Sequence, residues 1–128
     1  MILRYNILSI LWAVFILILS LVSNKSLPEV SLWEWVSMDK LAHVFMYGLL
    51  VFLLTTGLKR QYSNEWLRYY AKSVAFWLGM FYGLLLEIMQ LLISQDRSFE
   101  IADIMANSVG CVLGIFGFIL IYGKELSR

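Results

Sequence analysis

The chain is 128 residues long, 61% hydrophobic and 15% charged, with a net charge of +1. A soluble domain carries about 25% charged residues, so the composition argues against one; the length allows a single domain, and near-neutrality argues against a nucleic-acid partner. Cys111 is the only cysteine, which excludes an intrachain disulfide and reads as a small buried apolar residue.

Four apolar stretches approach or exceed the ~20 residues needed to cross a bilayer core: 5–22, 41–58, 74–93 and 101–122. They predict an all-α integral membrane protein, a bundle of four transmembrane helices occupying 1–128 as one domain. The first stretch follows Arg4 like a signal peptide. It is longer than a usual signal core, and Leu21-Val22-Ser23 is a poor small-x-small cleavage site, so it reads as a retained span. Residues 24–38 read as a loop with Pro28, and Trp33 and Trp35 suit the headgroup level. Residues 59–73 carry Lys59, Arg60, Arg68 and Lys72 against Glu65, interleaved with Trp66, Tyr69 and Tyr70. That pattern suits an anionic leaflet or an interfacial extension of the third helix.

With the amino terminus inside, seven basic residues (Arg4, the four of the middle loop, Lys124 and Arg128) face inward, and three (Lys25, Lys40, Arg97) face outward. Of the acidic residues only Glu65 and Glu125 fall inside. The positive-inside rule then places both termini in the cytoplasm.

Residues three or four apart share a helix face. Asp39, His43 and Tyr47 form one stripe; Gly79, Gly83, Glu87 and Gln90 a second; Asp103, Asn107, Gly110, Gly114 and Gly117 a third. Small residues at this spacing let helix backbones approach closely in lipid, so the third and fourth spans are expected to pack through their glycines. The same faces would open outward into a polar pocket, closed by Asp39 and His43, with Asp96 and Arg97 as its lid. Structural readings stand beside this one. Gln90 and Asn107 suit interhelical glue, and Asp39 and Asp103 suit helix N-termini. Lys40 suits a side chain reaching for the headgroups, and Arg97 a countercharge to Asp96 or Glu100. Their convergence at one depth favours a site, because ionisable groups in lipid are costly without partners.

Asp39, Glu87, Asp103 and His43 could together hold a divalent cation, whose identity the residues do not fix. Lys40 and Arg97, with Gln90 and Asn107, could bind a phosphate or carboxylate. A carboxylate-held His43 could serve as general base toward a water.

The pattern Asp39-Lys40-x-x-His43-x-x-x-Tyr47, then Glu87-x-x-Gln90, Arg97 and Asp103-x-x-x-Asn107-x-x-Gly110-x-x-x-Gly114, resembles the VanZ-like membrane proteins. That resemblance implies a small multi-pass protein of the bacterial cytoplasmic (inner) membrane. The family's named member is linked to resistance to teicoplanin, a glycopeptide with a lipid tail that acts at the outer face. The implied signature positions here are Asp39, Lys40, His43, Glu87, Gln90, Arg97, Asp103, Asn107 and Gly110. Any activity is expected to reside in the four-helix unit itself.

Three functions remain open on the sequence. The outer site could bind membrane lipid headgroups, a lipid-linked cell-wall precursor or a lipoglycopeptide. It could be a hydrolase or transferase acting on a lipid-linked phosphate, with His43 and Asp39 as base and orienter, and Glu87 and Asp103 as acids or metal ligands. It could instead serve assembly with a larger membrane complex.

Overall fold

The computed structural model describes residues 2–21, 32–93 and 101–127, at 32–39 and 124–127 by backbone alone. All regular structure among these residues is helical: α1 (Ile2–Tyr5), α2 (Ile7–Leu21), α3 (Leu32–Arg60), α4 (Glu65–Tyr69), α5 (Ala71–Ile93) and α6 (Ile101–Ser127).

Three segments are long and apolar enough to cross a bilayer: Lys40–Arg60, Ala71–Ile93 and Ile101–Gly123. They match the second, third and fourth predicted spans. The first differs. Its apolar helix is α2, described over 15 residues, about 22 Å at 1.5 Å per residue, and the residues that follow it lie outside the described ones. The backbone breaks at Asn6, whose side-chain amide folds back to donate to the Ile2 carbonyl at 3.0 Å. At the other boundary α3 starts at Leu32, so the stretch containing Trp33 and Trp35 is helical rather than loop. Between Leu32 and Lys40 there is neither glycine nor proline to stop it.

Two observations set the topology. Lys40 meets Asp103, and Phe52 meets Phe118, so α3 and α6 run parallel. Asn6 faces Gly57 and Trp12 meets Met46, so α2 runs antiparallel to α3, while Ala13 meets Tyr82 and Ser20 meets Gln90, so it runs parallel to α5. Consecutive spans therefore alternate in direction. Apolar side chains such as Leu11, Phe45, Trp77, Phe81 and Leu120 cover the outside, as expected where lipid is the solvent.

The centre of the bundle is the seam between α3 and α6. A Cβ on Gly110 would stand 2.5 Å from the Val44 carbonyl oxygen, one on Gly114 would collide with the Gly48 carbonyl, and one on Gly48 would meet Gly110. Backbones this close allow no side chain between them. This corrects the expected pairing, because the glycines of the fourth span pack on the second span rather than the third. Gly48 explains why, since it supplies the facing gap. Gly79 and Gly83 of α5 instead make room for side chains, Val51 and Cys111 at the first, Asn107 and Tyr47 at the second. Gly117 meets nothing within 4 Å and lines an apolar cleft of about 700 Å³ with Phe45, Leu49, Phe52 and Leu113. α6 bends at Gly123, whose φ of 64° lies in the left-handed region that favours glycine.

Side-chain hydrogen bonds to backbone carbonyls clip α2 to the rest. Trp12 Nε1 donates to Met46, Tyr82 Oη to Ala13, and Gln90 Nε2 to Ser20. Each such interhelical bond contributes on the order of 0.6–2 kcal/mol in lipid. Thr55, Thr56 and Ser108 donate to carbonyls one turn earlier in their own helices, which satisfies their hydroxyls where no water is at hand.

The turn from α3 to α4 is built around Gln61, which is fully buried. Its amide accepts from the Asn64 N–H at 2.9 Å and donates to the Asn64 carbonyl at 2.7 Å. Asn64 in turn caps α4 by accepting from the Leu67 N–H. Gln61→Ala removes both bonds and is expected to destabilise this turn by about 1–3 kcal/mol. Amide exchange at 62–70 should then speed up while the spans stay protected; unchanged exchange there would refute this account.

Candidate functional site

Because α3 and α6 begin where α2 and α5 end, the polar residues of all four helices gather at one end of the bundle. Asp103 lies in the first turn of α6, where the helix dipole favours an anion. Its carboxylate pairs with Lys40 Nζ of α3. The pair is mostly enclosed, with the Lys40 side chain 23% and that of Asp103 11% exposed. Lys40 thus turns along the bundle to a carboxylate 63 positions away rather than simply reaching for the headgroups.

One turn deeper, His43 Nδ1 lies 2.9 Å from Asn107 Oδ1. With the amide oxygen toward the ring, Nδ1 carries the proton and donates, which makes Nε2 the basic nitrogen. Asn107 is 2% exposed, and its amide nitrogen faces Gly83, so it sits where α3, α5 and α6 meet. Tyr47, one turn beyond His43, presents a ring parallel to the imidazole with centroids 6.3 Å apart. Glu87 is 4% exposed, within electrostatic range of the Tyr47 hydroxyl.

The predicted residues therefore divide. Lys40 with Asp103 and His43 with Asn107 form two stacked bridges between α3 and α6, and Glu87 stands buried on α5 beside them. Gln90 is at the same end but is used differently, holding the Ser20 carbonyl of α2. Asp39 lies within α3, where only the backbone is described, and Asp96 and Arg97 lie outside the described residues. Among the described residues no group of three or more His, Cys, Asp or Glu side chains is arranged to hold a metal ion.

Sequence reasoning missed Gly48 and the contacts of Trp12 and Tyr82. Gly48 stands alone on its face of α3, and its part in the seam shows only in its contact with Gly110 and Gly114. The other two meet backbone carbonyls, which carry no signature in the partner's sequence.

Chemically, the site offers a partly accessible ammonium fixed by a carboxylate and an imidazole oriented by an amide, over a buried carboxyl group. Such a set can bind an anion through Lys40 and move a proton through His43.

The profile of the family described as VanZ/LLP1 matches residues 4–122, nearly the whole chain. No curated protein and no solved structure matches it.

Proposed function

The chain belongs to the VanZ/LLP1 family, and on that premise we propose that the Lys40–Asp103 end of the bundle binds the anionic headgroup of a lipid or lipid-linked cell-envelope precursor. The observation that carries this reading is the ion pair itself. A lysine held at the mouth of a helical bundle by a carboxylate, and still a quarter exposed, is a cation fixed in place for an incoming phosphate. The positive-inside distribution turns this end to the outside of a bacterial cytoplasmic membrane, where such precursors are displayed. Altered susceptibility to teicoplanin follows from the same reading, because its lipid tail brings that glycopeptide to the same surface.

Native mass spectra of the detergent-purified protein test it, wild type beside Lys40→Gln and Arg97→Ala, before and after chelator. The expected result is an adduct with the mass of a phosphorylated lipid that falls about tenfold or more in Lys40→Gln, as loss of a charge-assisted bond of about 1.5–3 kcal/mol implies. A wild-type spectrum without such an adduct, or one that Lys40→Gln leaves unchanged, overturns the reading.

A second reading rests on the enclosure of the other groups. His43, Asn107 and Gln90 each bond to another helix of this bundle, which is what interhelical glue requires. On that reading Asn107→Leu lowers stability and leaves ligand retention intact.

A further inference from the structure

We propose that the cleft between α3 and α6 receives a hydrocarbon chain of the same lipid whose phosphate meets Lys40, which makes the site selective for lipid-linked anions over soluble ones. This inference rests on the headgroup reading above and extends it into the bilayer.

The cleft follows from the glycines. Gly48, Gly114 and Gly117 carry no side chains, so backbone floors the seam there, between walls formed by Phe45 and Phe52 of α3 and Leu113 of α6. The space amounts to about 700 Å³, and every residue that lines it is apolar or glycine. Gly117 meets nothing within 4 Å. Alanine there would favour the helix and clash with nothing, yet the space is left open.

No described span covers this side. Among the described residues α2 lies beside α3 and α5 and not beside α6. Leu41 and Phe45, on the rim, stand 71% and 64% exposed. A groove with no polar group to offer suits hydrocarbon.

Position decides whose hydrocarbon. The cleft starts at Leu41, the residue after Lys40, and reaches Phe52. Those eleven residues of helix rise roughly 16 Å, close to half of a ~30 Å hydrocarbon core, the depth that one chain of one leaflet occupies. Lys40 opens the membrane-spanning segment of α3, so its ammonium stands at headgroup level. It does not line the cleft; it is turned to Asp103 at the cleft's upper end. A lipid whose phosphate joins that pair carries its chain down past Leu41. Once the phosphate is engaged, seating the chain is an intramolecular step, and the two contacts add without either being strong. A soluble phosphate meets only an ammonium that already has a carboxylate partner, and gains nothing from the cleft.

The experiment offers delipidated protein in non-ionic detergent either dioleoyl phosphatidylglycerol or its deacylated headgroup, glycerophosphoglycerol, and counts retained molecules by native mass spectrometry. At equal concentration wild type should retain the lipid and not the headgroup. Gly117→Leu puts a side chain into the open cleft and should cut lipid retention about tenfold, as crowding a packed chain implies, at unchanged helical circular dichroism. Val112→Phe adds bulk to an exposed face of the same helix outside the cleft and should retain lipid as wild type does. Lipid kept by Gly117→Leu but lost in Lys40→Gln overturns this inference and leaves the headgroup reading standing. Lipid lost in Gly117→Leu but kept in Lys40→Gln overturns the headgroup reading instead, with the cleft still holding a chain. Equal losses in Gly117→Leu and Val112→Phe would mean that bulk anywhere on α6 disturbs the bundle, and the inference would fall. Glycerophosphoglycerol retained as well as the lipid overturns it too, and so does a dimer that Gly117→Leu dissociates, which would seat a second copy of the chain in the cleft.

Discussion

Alanine at Gly110 or Gly114 is expected to destabilise the bundle by about 2–3 kcal/mol, whereas alanine at Gly117, in the same stripe of the same helix, is expected to be neutral or stabilising by up to about 1 kcal/mol. The difference lies in what the new methyl group meets. At Gly110 it runs into the carbonyl, Cα and carbonyl carbon of Val44, and at Gly114 into the carbonyl of Gly48. These are backbone atoms, which cannot swing aside, so the helices must separate and lose packing along the whole seam. At Gly117 there is open space, and replacing glycine by alanine within a helix lowers the entropy lost on ordering. Gly79→Ala should fall between, because its obstacles are the Val51 methyl and the Cys111 thiol, both on side chains. Unfolding in mixed micelles by titration with a denaturing detergent reads all four variants on one scale. Equal losses at Gly114 and Gly117 would contradict the seam described above.

Asp103→Ala is expected to lower stability by about 2–3 kcal/mol, and Lys40→Ala by less. Breaking a fully buried pair costs about 3–5 kcal/mol because the remaining charge is left without its partner. The figure is reduced here because the Lys40 side chain is 23% exposed and water reaches it. The asymmetry arises from the survivors. A lysine that has lost the Asp103 carboxylate must turn its long stem elsewhere, whereas an Asp103 that has lost Lys40 stays near the positive end of the α6 dipole. Exchanging the charges, Lys40→Asp with Asp103→Lys, tests whether attraction or location matters. The swap restores the attraction but places a cation at the start of α6, so partial recovery is expected. A swap less stable than both single variants would mean that the pair is not what joins these helix ends.

The three long spans were legible because lipid demands long runs of apolar residues with their backbone bonds satisfied internally, and such runs stand out in any sequence. In the first, the helix is interrupted at Asn6, which the apolar composition on that stretch did not announce. The glycine stripes announced close approach but not the partner, since glycine spacing on α6 is equally compatible with α3 and α5. Gly48 settles the partner in the structure, but a lone glycine on its face of α3 beside Gly79 and Gly83 on α5 gave no reason to prefer it. At the site, alternating helix direction sufficed to bring His43, Glu87, Asp103 and Asn107 to one end. It did not reveal that Lys40 would be taken up by Asp103, because a lysine near the end of a span has two outlets and composition favours neither.

The tightest seam in the molecule joins its second span to its last, and its ion pair closes over 63 positions of chain. Spans are made in order, so Lys40 is in place well before Asp103 has been synthesised. During that interval the half-made protein holds a cation whose carboxylate has yet to arrive and a bare groove at Gly48. Final assembly must therefore be a lateral event between helices already in the bilayer. A chain truncated before Ile101 would lack both halves of the closure, the carboxylate and the glycine face, and should be recognised by quality-control proteases as incomplete.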